Sequence, residues 1–133
     1  MHPERVHVHI TNARQPRSIF DDRAYLPGCL SCLMDRAEAE HGAGSLGTGS
    51  LLNSYPRWLA LLPAEYLDHM EPEGEDVWCG LGTWGQFITA RGTFHAGRAA
   101  RLRESGRMPY PWRYAWCSFA ALRRHLQGYL ERG

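Results

Sequence analysis

Two short clusters in this chain hold the side chains that bind metals or carry redox chemistry. His7-Val8-His9 places two imidazoles at alternate positions. On a strand, alternate positions share a face, so both rings point the same way, close enough to share a metal ion. Cys29-x-x-Cys32 places two thiols three residues apart. At a helix start that spacing suits two thiolates on one metal, or a redox pair whose thiol pKa the helix dipole lowers. His7, His9, Cys29 and Cys32 together make a Cys2His2 donor set, and zinc is the cofactor it would take. Nineteen residues separate the two pairs and His41 competes as a ligand, whereas zinc sites bring tight pairs across a short gap. The simpler expectation has no cofactor: imidazoles on a solvated strand face, thiols partly buried on a helix.

A third cluster lies in the last third of the chain. Arg98, Arg101, Arg103, Arg107, Trp112, Arg113 and Tyr114 interleave cation and aromatic ring, with Trp116 beyond them. Guanidinium forks hold phosphate and carboxylate, and aromatic faces stack on bases. The same residue types dominate protein–protein hot spots. Residues 59–90 carry six acids and no arginine, while residues 91–133 carry nine arginines against Glu104 and Glu131. Glu71, Glu73, Glu75 and Asp76 crowd one acidic turn, a surface able to imitate a polyanion for a cationic groove. The alternative packs the acidic stretch beside the basic one.

His7-Val8-His9 resembles the histidine-hydrophobe-histidine motif of single-strand nickases and transposases. That resemblance spans three residues and implies a metal ion with a nucleophilic tyrosine, for which Tyr129 is the candidate. Cys29-x-x-Cys32 resembles the thioredoxin motif in spacing, without a strand running into it. His9-Ile10-Thr11 resembles half of a two-histidine phosphoesterase motif, and the chain holds no second half. Gly80-Leu81-Gly82-Thr83-Trp84-Gly85 matches the dinucleotide fingerprint as a pattern. The acid required ~20 residues on is absent, because Arg101 and Arg103 stand there.

Composition narrows the classes. All fifteen basic residues are arginine, so no lysine serves as a Schiff-base nucleophile or P-loop cation. A chain of 133 residues is expected to fold as one domain, 1–133, with a core that needs no disulfide. No apolar run approaches the ~20 residues that cross a bilayer. No signal-type segment is visible, so a cytoplasmic location, no membrane partner and reduced cysteines are expected. Cys79 and Cys117 sit among large apolar residues and read as core.

These residues must be placed by a few elements. Residues 5–11 alternate as a strand, with Val6, Val8 and Ile10 inward. Residues 29–41 read as a helix with Leu30, Leu33, Met34 and Ala37 on its buried stripe, ended by Gly42 and Gly44. The glycine-rich stretch 42–50 reads as a flexible loop. Two short helices follow, one with proline in its first turn and one opened by Pro63. Residues 77–79 are a brief strand candidate. From Trp84 to Leu102 the spacing is helical, with Trp84, Phe87, Ile88, His95, Ala99 and Leu102 on one face and weak points at Gly92 and Gly97. Residues 112–117 alternate as a strand with an aromatic face. Ser118 caps a last helix whose stripe is Phe119, Leu122, Leu126, Tyr129 and Leu130.

The sum is an α+β fold: a small antiparallel sheet packed with three to four helices. The expected function is stoichiometric binding of a protein partner, in the manner of an inhibitor, immunity protein or phage or mobile-element accessory. The alternative is a metal-dependent nucleic-acid-binding protein or nuclease built on His7 and His9. Whether the chain is an enzyme stays open, and no catalytic residue is assigned.

Overall fold

The computed structural model describes residues 4–74 and 81–133. Three strands form one sheet in the order β1 (Arg5–His7), β2 (Ser45–Ser50), β3 (Arg113–Ser118). β1 runs parallel to β2, and β3 antiparallel to it. The sheet is therefore mixed rather than wholly antiparallel. The reason is the helix between β1 and β2: a crossover returns the chain to the end it started from, which makes the two strands parallel.

β1 is shorter than the alternation suggests, although Val8 still donates to Gly47 O at 2.9 Å. Val8 is buried, Val6 and Ile10 pack against the core, and His7 and His9 are exposed. The stretch expected as a loop is instead the central strand. Gly42, at φ +63°, caps the preceding helix, and regular pairing starts three residues later.

That helix, α1 (Tyr25–His41), starts earlier than the apolar spacing indicates. Pro27 sits in its first turn, where a missing N–H leaves no hydrogen bond unmade. Leu26, Leu30, Met34 and Ala37 face the core. The two short helices, α2 (Pro56–Leu59) and α3 (Ala64–Asp68), contribute Trp58 and Tyr66, both fully buried. Residues 77–79 lie outside the described residues.

The long helix expected over 84–102 does not form. A single turn, α4 (Leu81–Trp84), gives way to a 3-10 turn at Gly85–Phe87, then to a loop closed by a bridge between Ile88 and Phe94. The hydroxyls of Thr89 and Thr93 bond at 2.7 Å across that loop, and Gly92 turns it at φ +80°. Short hydroxyl side chains compete for backbone groups in this way and break a helix. The helix resumes as α5 (Ala96–Ser105). Of the expected face, Phe87, Ala99 and Leu102 pack with Met108 in a small second core, while Trp84 and Ile88 are exposed.

α6 (Phe119–Glu131) follows β3 directly, with Ser118 Oγ accepting from Ala121 N at 3.2 Å. Phe119, Leu122 and Leu126 are buried, and Leu130 is exposed where the stripe placed it inward. Arg123 joins α6 to α1 through Asp35 at 3.0 Å and Glu38 at 2.7 Å. The whole is a single α+β domain. No helix among the described residues is long and apolar enough to cross a membrane.

Candidate functional site

The two faces of the sheet differ in kind. Inward, Leu46, Ala115 and Cys117 are wholly buried and Thr48 almost so. Outward, β2 offers only Gly47 and Gly49 at its middle positions. A Cβ on Gly47 would collide with the Tyr114 hydroxyl, and one on Gly49 with the Trp112 indole. The glycines thus let two aromatic side chains, Tyr114 of β3 and Trp112 just before it, lie across the central strand.

One arginine and two histidines complete this outer layer. The Arg5 guanidinium lies 4.0 Å from the centre of the Trp116 ring, and its Nη1 reaches the Tyr114 hydroxyl at 3.4 Å. His69 stacks on Trp116, centroids 3.8 Å apart and planes 5° from parallel. His7 stands 6.0 Å from Tyr114.

The acidic stretch lies along the free edge of β3. Glu71 N donates to Tyr114 O at 2.8 Å, and Arg113 Nε returns a bond to Glu71 O at 2.9 Å. Arg107 Nη2 donates to Gly74 O at 3.1 Å. Two of the expected binding arginines therefore grip backbone carbonyls of the acidic turn. Glu71 and Glu73 keep their carboxylates at the surface, and Glu75 and Asp76 lie outside the described residues. Arg101 and Arg103 are exposed on α5. Arg98 is half-buried: its Nη1 donates to Gln86 O at 2.9 Å and its guanidinium rests 4.8 Å from the Tyr110 ring.

Beside the outer face opens a cleft of about 1070 Å³. Its walls are the loop 10–20 and the segment 83–98, with the end of β2 between them. Phe20, Tyr55 and Tyr110 form a chain of edge-on rings, with centroids 5.1 and 5.4 Å apart, and Trp112 stands at the same opening. Arg57, Arg98 and His95 line it, and among the described residues no aspartate or glutamate does. Residue spacing gives no sign of this cleft. Its visible tokens were Arg98 and Trp112, singled out for a different reason.

The metal candidates are placed without convergence. His7 and His9 are exposed beside the sheet's outer face, and Cys29 and Cys32 are exposed on α1. Among the described residues, no three histidine, cysteine or acidic side chains gather where a metal ion would be held. Tyr129 belongs to the inner layer, under the Arg23 guanidinium at 3.9 Å and packed on the core. The sheet lies between it and His7.

Cys117 is a core residue whose burial pushes its thiol up to about 12. A raised thiol pKa leaves the native state fully stabilised below about 9, the value of an exposed thiol here. That stability is lost as pH climbs from 9 towards 12, because the unfolded chain releases its proton first. Titration with a thiol reagent at pH 8 checks this in a Cys79→Ser background, since Cys79 lies outside the described residues. Two thiols, Cys29 and Cys32, are expected to react at once and Cys117 only after denaturant is added. Three fast thiols would contradict the burial.

No family model matches the chain, and neither a curated protein nor a solved structure matches it.

Proposed function

We propose that this protein acts by stoichiometric, non-catalytic binding to a protein partner, through the arginine–aromatic end of the domain. One observation carries the reading. Ile88 and Phe94, paired across their bridge, are 50% and 61% exposed, with Trp112 44% exposed along the same cleft margin as Ile88. Bridge partners present their side chains on one side of the loop. Large apolar groups left in water beside Arg98 and Arg101 have the make-up of an interface core with its charged rim. The partner's chemistry follows: an apolar pocket edged by carboxylates. An inhibitor, an immunity protein or a phage or mobile-element accessory working in the cytoplasm would act in this manner.

The test uses side chains that the fold does not need. Arg98 and Arg113 hold backbone carbonyls, so reversing their charge would confuse folding with binding. Phe94 and Arg101 are exposed. A partner is first isolated from the native host, then purified and titrated. The Phe94→Asp, Arg101→Glu double variant should keep its stability within about 0.5 kcal/mol and lose affinity roughly 100-fold. Equal affinity of the purified partner for both forms would remove this surface from consideration.

A further inference from the structure

We infer that the cleft between loop 10–20 and segment 83–98 is a binding site for a nucleoside phosphate, either free or as an unpaired nucleotide of a strand. This goes beyond partner binding: Arg98 and Trp112 belong to both surfaces, while Arg57, His95, Phe20, Tyr55 and Tyr110 belong to the cleft alone. Small-molecule sites usually occupy ~300–1,000 Å³, and this cleft, at about 1070 Å³, accepts a nucleotide with room to spare.

Its charge selects an anion. Arg57 and Arg98 each donate one bond to a backbone carbonyl, Phe20 O at 2.7 Å and Gln86 O at 2.9 Å. Each also rests on an aromatic ring, Phe20 at 5.4 Å and Tyr110 at 4.8 Å. Those contacts fix the plane of each guanidinium. They leave the remaining N–H groups of each fork without a partner among the described residues. Among the described residues no carboxylate in the lining offsets the two charges. A planar fork held at this orientation matches the oxygens of a phosphate.

His95 adds a third donor. Its Nδ1 accepts from Arg98 N at 3.2 Å, so in the neutral ring the proton sits on Nε2. His95 lines the same cleft.

The rest of the lining selects a flat ring. Trp112, 44% exposed at the opening, offers an aromatic face on which any base can stack, and Phe20, Tyr55 and Tyr110 add ring surface not covered by the two guanidiniums. An acidic peptide would satisfy the forks but leave those ring faces uncovered. A bare phosphate ion would do the same.

Calorimetry on the full chain at ~50 mM salt tests this, because phosphate contacts weaken steeply with salt. AMP and UMP are the probes, with adenosine and inorganic phosphate as half-ligands, an eight-nucleotide DNA strand as the strand arm, and an acidic hexapeptide as the competing class. The expected result is saturable binding of a mononucleotide with Kd below about 1 mM, and at least tenfold weaker binding of each half-ligand. Arg57→Gln and Arg98→Gln should each weaken it by about tenfold or more, with the melting temperature recorded for both. Neither Phe94 nor Arg101 lines the cleft, although Phe94 is bridged to Ile88 and Arg101 lies 5.8 Å from the Tyr110 ring; Phe94→Asp, Arg101→Glu should therefore keep saturable nucleotide binding, so this site and the partner surface fail independently. Binding of the strand without the mononucleotides assigns the site to a nucleic-acid strand. No saturable binding of either, tighter binding of the peptide, or full affinity in both arginine variants overturns the inference.

Discussion

Asn53→Ala is expected to cost the domain about 4 kcal/mol or more, enough to unfold much of the population at 37 °C. Asn53 is wholly buried, and every hydrogen-bonding position on its amide is used. Nδ2 donates to Thr48 O at 2.9 Å and to Arg113 O at 2.7 Å. Oδ1 accepts from Trp58 Nε1 at 3.1 Å and from the Tyr66 hydroxyl. One side chain thus ties the ends of β2 and β3 to α2 and α3. Alanine would take one hydrogen bond from each of two strand carbonyls and leave an indole N–H and a phenol unmet in a dry interior, where each unmet group costs ~1–3 kcal/mol. Leucine restores the volume but none of the four hydrogen bonds, so it should rescue little. Urea denaturation followed by tryptophan fluorescence measures the loss; a shift below about 1.5 kcal/mol would show that the network relaxes around the gap.

Asn53 also marks the limit of what the sequence discloses. Elements whose stripe is written in their own residues were legible: Val6 in β1 with Val8 and Ile10 just beyond it, the Leu30 to Ala37 stripe of α1, and Ser118 capping α6. Pro56 and Pro63 announced the two short helices between them. The 84–102 stretch misled because apolar residues at helical spacing outweighed Thr89, Gly92 and Thr93, whose local bonds turn the chain before a helix can cross them. The arginine–aromatic third was visible as composition. Its division of labour was not, since Arg107 and Arg113 turn to carbonyls 33 and 42 residues earlier in the chain. The cleft was invisible for a related reason. Phe20, Tyr55, Arg57, His95 and Tyr110 come from four separate stretches, and no local spacing joins them.

β2 failed to show itself for a reason that yields the second large prediction. Its sequence, Ser-Leu-Gly-Thr-Gly-Ser, holds a single β-branched residue, Thr48, and no aromatic one to mark a strand, because the bulk over its outer face is supplied by β3 and the residue before it. By intrinsic preference, Gly49→Val should favour the strand by up to ~1 kcal/mol. The Trp112 indole occupies the space that a Cβ there needs, and a rigid ring cannot yield as a flexible tip does. Overpacking should win, with a net loss of about 2 kcal/mol. Gly47→Val should cost less, since its obstacles are the far end of Tyr114 and the Arg5 side chain, both free to swing. Trp112→Ala supplies the control. With the indole gone, Gly49→Val should become neutral or stabilising, a coupling of about 2 kcal/mol in a double-mutant cycle read by thermal melts. Equal effects of Gly49→Val in both backgrounds would mean that the glycine serves the strand's own backbone and owes nothing to the ring above it.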